Sequence, residues 1–170
     1  GLVDDVQRAL ESAGLAPSRL ILELTESAVI SDIESAAITL CELRTHGVRI
    51  ALDDFGAGYR SLQHLRAFPV DIVKLDRSFV VSSLEHDSTV LSGLIEMAAN
   101  LGMETVGEGI EEPSHLDMLR ALNCRYAQGF LIARPMPSDR LDEVYAIGER
   151  RVSSDLPEPI ETRESVTINL

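Results

Sequence analysis

Between Leu20 and Ile132 the chain alternates short apolar runs with helical stretches, and it sets a charged or amide side chain within or just after each run. The runs are Leu20 to Leu24, Val48 to Leu52, Asp71 to Leu75, Met103 to Val106 and Tyr126 to Ile132. Each is nearly continuously apolar, which is the pattern of strands covered on both faces. Helical spacing fills the intervals. Ile33 to His46 carries Ile33, Ala36, Ala37, Leu40 and Leu43 on one side, with Gly47 as a stop. A short helix around Leu62 to Ala67 ends before Pro69. Val90 to Leu101 and Pro113 to Leu122 supply two more, and Ser138 caps a last one through about Arg150. Ahead of the first strand, Val3, Val6, Leu10 and Ala13 mark an amphipathic helix.

Strict βα alternation implies an α/β fold with a parallel sheet covered by helices. An open doubly wound sheet gathers its polar groups at one switch point, whereas a (β/α)8 barrel aims them at one rim from every strand. Glu23, Asp53 with Asp54, Lys74, Glu108 and Gln128 lie at the C-terminal ends of five successive strands, which favours the barrel. A barrel of this kind takes about 250 residues, so five units are read as part of one, with roughly three βα units expected upstream. Residues 1–152 are assigned to this incomplete TIM-barrel-type domain. The polar, Pro-containing segment 153–170 is expected to be a disordered tail.

A net charge of −13 argues against DNA or RNA as partners, because phosphate contacts need Lys and Arg. No run approaches the ~20 apolar residues of a membrane span, and the N-terminus is not a signal peptide, so a cytoplasmic location is expected. Cys41 and Cys124 lie outside any CxxC and are read as buried, reduced thiols. The four histidines lack metal-ligand spacing and are assigned surface or capping roles. The rim acids are a different matter. Glu23, Asp53, Asp54 and Glu108 would repel one another, and Lys74 brings a single positive charge. All-oxygen donors select hard divalent cations such as Mg²⁺ or Mn²⁺, and two such ions suit hydrolysis of a phosphodiester.

Five segments carry a resemblance: LELTES (22–27), DDFGAGYRSL (53–62), VKLDRSFV (73–80), GEGIEE (107–112) and YAQGFLIARPMP (126–137). In order and spacing they resemble successive motifs of the EAL domain family. The resemblance implies metal-dependent hydrolysis of cyclic-di-GMP to linear pGpG in bacterial second-messenger signalling. It implies that Glu23, Asp53 and Asp54 are metal ligands and that Glu26 holds the loop after Asp54. It implies that Lys74 contacts the attacking water and the phosphate, that Glu108 is a general base or second-metal ligand, and that Glu111 and Gln128 support the site. It further implies a homodimer through the 53–62 loop region.

The sequence also departs from that family. The Glu-Ala-Leu motif and an Asn ligand would precede Gly1, Gly107 stands where alanine is usual, and Ala57 and Arg60 replace Thr and Ser. Residues 1–170 alone are therefore expected to be inactive, and a nucleotide sensor or protein-interaction module is the alternative reading. The DFG triplet at Asp54 to Gly56 lacks the other kinase motifs, and Gly56 with Gly58 lacks the third glycine of a dinucleotide fingerprint.

Overall fold

The structure, a computed structural model, describes residues 1–25, 33–56, 65, 68–85, 88–137 and 166–168. The apolar runs become β1 (Leu20–Thr25), β2 (Arg49–Phe55), β3 (Ile72–Leu75), β4 (Glu104–Gly107) and β5 (Tyr126–Ala127). The helices are α1 (Leu2–Ala13), α2 (Ile33–Thr45), α3 (Arg77–Glu85), α4 (Thr89–Asn100) and α5 (Pro113–Ala121). With β6 (Val166–Ile168) the sheet runs in the order β5-β4-β3-β2-β1-β6, and every pairing is parallel. The expected α/β architecture is observed: strands neighbour one another in sequence order, as in a barrel wall, with no reversal between β1 and β5.

Burial explains why the runs are continuous. Ile50, Leu52, Val73 and Leu75 are sealed between the layers with Leu43 of α2, Leu91 of α4 and Leu119 of α5. Each such side chain contributes about 1.5–3 kcal/mol by leaving water. All four residues of β3 are buried, Lys74 among them.

Several expectations need correction. The strand read as Tyr126 to Ile132 stops at Ala127. The chain then turns, with the amides of Ile132 and Ala133 donating to the Gly129 carbonyl, and Phe130, Leu131 and Ile132 are exposed. Helix α3 was not anticipated, although Asp76 before it accepts from the Ser78 amide at 2.9 Å in the manner of a cap. Cys41 is exposed, against expectation, while Cys124 is buried, and both are free thiols. His115 is buried rather than superficial and caps backbone, its Nδ1 accepting from the Glu111 amide at 3.3 Å. Segment 166–168 pairs with β1 through Leu20 with Val166, Ile21 with Thr167 and Leu22 with Ile168, while 153–165 and 169–170 lie outside the described residues. Glu26, the loop from Ala57 through Leu62 with Arg60, His64, His86, most of the short 62–67 helix and the helix from Ser138 lie outside the described residues.

Candidate functional site

The site is organised by a charge in the wrong place. Lys74 sits in a strand whose other members are Ile72, Val73 and Leu75, and its side chain is 6% exposed. A buried ammonium is tolerated only when paired. Here Nζ lies 2.9 Å from Glu23 Oε2, 2.9 Å from Asp53 Oδ1 and 2.8 Å from Glu108 Oε1. The three acids come from β1, β2 and the residue after β4, so one lysine gathers groups from three other strands. Burial pushes the Lys74 ammonium down, but the contacts with Glu108, Asp53 and Glu23 outweigh it and hold the group above the usual lysine range.

Local backbone geometry brings in Asp54. Successive residues of a regular strand point to opposite faces, so adjacent aspartates could not share a site. The β2–β3 pairing shifts register here: Leu52 faces Val73 and Phe55 faces Leu75, which leaves Asp53 and Asp54 opposite Lys74 alone. This is a β-bulge, and Asp54 takes the left-handed conformation that absorbs it, at φ 54. One oxygen each from Asp53, Asp54 and Glu108 then lie within 4.8 Å of one another.

The electrostatics match that crowding. Burial pushes the Asp54 carboxyl above its ordinary value, and the neighbouring Asp53 and Asp76 push further in the same direction. Burial also raises Glu108; Lys74 opposes this while Asp53 and Asp54 reinforce it. Asp53 Oδ1 is held by Lys74 Nζ at 2.9 Å, and it shares that one ammonium with Glu23 and Glu108. Three carboxylates whose oxygens lie this close, around a single lysine, fit a hard divalent cation by donor chemistry. Asp53, Asp54 and Glu108 are the residues that could hold one, with Glu23 joined to them through Lys74.

The remaining sequence-derived residues are placed differently. Glu111 lies outside this cluster and forms a two-pronged pair with Arg77, Oε1 to Nη1 at 2.7 Å and Oε2 to Nη2 at 2.8 Å. Gln128 enters through its backbone: its amide donates to the Gly107 carbonyl at 2.9 Å and its carbonyl accepts from the Ile110 amide at 3.1 Å. Asp76 was missed, though it charges the rim beside Asp54; its place directly after β3 was the available signal. Gly107, where the sequence departs from the EAL pattern, has Leu119 packed against it, with Cδ2 2.9 Å from where a Cβ would stand.

A parallel sheet that delivers a buried lysine and clustered carboxylates at its C-terminal strand ends defines a barrel-type protein with an acidic rim site. The chain belongs to the EAL domain family, whose profile matches residues 1–135. It is 43% identical over 144 residues to the cyclic di-GMP phosphodiesterase NbdA of Pseudomonas aeruginosa, covering 84% of this chain and 18% of that protein. The crystal structure of the EAL domain of Mycobacterium smegmatis DcpA superimposes with a TM-score of 0.81 at 37% identity, covering 87% of this chain and 67% of that one. A manganese and cyclic-di-GMP complex of Klebsiella pneumoniae BlrP1 superimposes with a TM-score of 0.72 at 32% identity, over 78% of this chain and 34% of that one. The chain thus spans less than a quarter of the curated relatives it matches. Among the described residues, no helix is long and apolar enough to cross a membrane.

Proposed function

We propose that the protein carrying this chain hydrolyses one phosphodiester bond of cyclic-di-GMP to give linear pGpG, in a divalent-metal-dependent reaction. The observation that carries this reading is the cluster of Asp53, Asp54 and Glu108, with one carboxylate oxygen of each within 4.8 Å of the others, on a chain of this family. Mg²⁺ or Mn²⁺ would be held by Asp53 and Asp54, with Glu108 or Glu23 completing the set and two ions in the complete site, and would lower the pKa of water and offset phosphate charge.

The chain's own residues do the rest. Glu108, with its carboxyl raised by burial, takes a proton from water more readily than an exposed glutamate does. Lys74 orients Glu108 through the 2.8 Å contact and sets positive charge beside the phosphate. Water adds to phosphorus, the bond to a ribose 3′ oxygen breaks, and that oxygen leaves with a proton. Glu26, Glu111 and Gln128 support the arrangement, and self-association through residues 53–62 belongs to the same reading.

The test is turnover by the full-length protein with Mn²⁺. Wild type is expected to release pGpG, chelation to stop it, and Asp53→Asn to abolish it while leaving the protein folded. Near-normal turnover by Asp53→Asn refutes the assignment. Nucleotide binding by the full-length protein without turnover would favour the sensor or interaction module instead.

A further inference from the structure

We propose that Arg77 is a positioning residue for Glu108, acting through the loop that follows β4. Glu108 itself is not touched by Arg77. What Arg77 holds is the next three residues.

Two separate contacts make the hold. The aliphatic stem of Arg77 lies flat on Gly109, so close that a Cβ there would come within 2.6 Å of Arg77 Cβ and 2.7 Å of Cδ. Gly109 has φ +67, which a side chain would strain in any case. Beyond the stem, the guanidinium grips Glu111 at 2.7 and 2.8 Å, a planar fork that fixes orientation as well as distance. The loop is thus pinned at its second and fourth residues, Gly109 and Glu111.

Its other sides are fastened by backbone. The Glu108 amide donates to the Leu75 carbonyl at 3.1 Å, extending the β3–β4 ladder, and the Ile110 amide donates to Gln128 at 3.1 Å. These bonds tie the main chain at Glu108 and Ile110, and neither involves the main chain of Gly109 or Glu111. Arg77 supplies side-chain contacts at those two residues. It stands three residues after Lys74 on the same β3-to-α3 segment, so the lysine and its partner Glu108 are positioned by one stretch of chain.

An exposed ion pair alone contributes little to stability, and Arg77 is 54% exposed. The proposal therefore predicts a local effect. In Arg77→Ala, amide exchange at 108–110 should rise about tenfold, the scale of losing charge-assisted hydrogen bonds, while exchange in β2 and β3 is unchanged. Arg77→Lys keeps the stem and loses the fork, and should fall between. Arg77→Glu with Glu111→Arg restores the pair in reverse and should recover much of the protection lost in Arg77→Glu alone.

The kinetic arm rests on the proposed hydrolysis. In the full-length protein, Arg77→Ala should lower kcat about tenfold with KM for cyclic-di-GMP unchanged, and the charge reversal should recover part of it. Unchanged exchange at 108–110 in Arg77→Ala overturns the proposal, as does a rise spread evenly over the sheet. A wild-type protein that does not hydrolyse cyclic-di-GMP refutes the functional reading instead, and the exchange experiment still decides the role of Arg77.

Discussion

Replacing Lys74 by Met removes a cation from among three carboxylates while keeping most of the volume. At an effective dielectric of about 20, a unit pair 2.9 Å apart gains about 6 kcal/mol before desolvation. Taking the ammonium out of water returns several kcal/mol of that. What decides the outcome is the state left behind. The side chains of Glu23, Asp53 and Glu108 are 8%, 17% and 17% exposed, so water replaces the lost partner poorly. Removing one partner of a buried pair typically costs about 3–5 kcal/mol, a large part of a total stability of about 5–15 kcal/mol. The melting temperature should fall by about 10 °C.

The deficit should depend on pH in a definite direction. Glu108 and Asp54 have folded-state values raised above the ordinary carboxylate range, chiefly by burial. For such groups the stabilising contribution is complete below the unfolded value and is lost as pH rises through the folded one. Removing Lys74 withdraws the influence that lowers Glu108, so the gap between variant and wild type should widen from pH 4 to pH 7. Thermal melts in chelator across that range check it, and Mn²⁺ should rescue the variant more than wild type at neutral pH. A Lys74→Met protein within about 1 kcal/mol of wild type at pH 7, below the cost of breaking a buried pair, would refute the reasoning.

Other outcomes follow from the same geometry. Gly129→Ala sets a Cβ against the backbone of Ile110, with Cα only 2.6 Å away, and backbone cannot swing aside; denaturant melts should show a loss of about 1–3 kcal/mol, and an unchanged midpoint would contradict the close approach. Cys41 should react with maleimide in the native protein while Cys124, buried and with its thiol pushed up by burial, reacts only on unfolding; mass spectrometry distinguishes the two, and native labelling of Cys124 would disprove it. Ending the chain at residue 163 leaves Leu20, Ile21 and Leu22 without their β6 partners, so sedimentation should reveal self-association beyond that of residues 1–170; the same distribution for both would count against this.

Much of the fold was legible because it rests on local statistics. Continuous apolar runs announced β1 to β4, and the positions of Glu23, Asp53, Lys74 and Glu108 at strand ends announced a shared rim. Spacing gave less where the sequence signal conflicts with tertiary contact. Phe130, Leu131 and Ile132 have strand composition, but the Ile110 backbone lies against Gly129, and the chain turns away. Helix α3 escaped because its sequence, RSFVVSSLE, is β-branched and serine-rich, a poor helix former held by packing against α4 and α5. The pairing of Arg77 with Glu111, 34 residues on, leaves no mark in either segment.

The least legible feature is also the one on which the site depends. An Asp-Asp pair in a strand pattern is ambiguous, because regular alternation sends one carboxylate to each face. Only the extra residue opposite Lys74, absorbed by Asp54 at φ 54, turns both toward Glu108. A left-handed conformation at a non-glycine residue costs about 1–3 kcal/mol, and the two raised carboxyls oppose folding further at neutral pH. Packing alone would not select this arrangement, since a regular strand with one aspartate outward would relieve both terms. Lys74 offsets part of the repulsion through Glu108 and Asp53, but it makes no ion pair with Asp54 among the described contacts. The stability that the bulge gives up is therefore concentrated in the three carboxylates that a divalent cation would neutralise together, which is where local strain has a use.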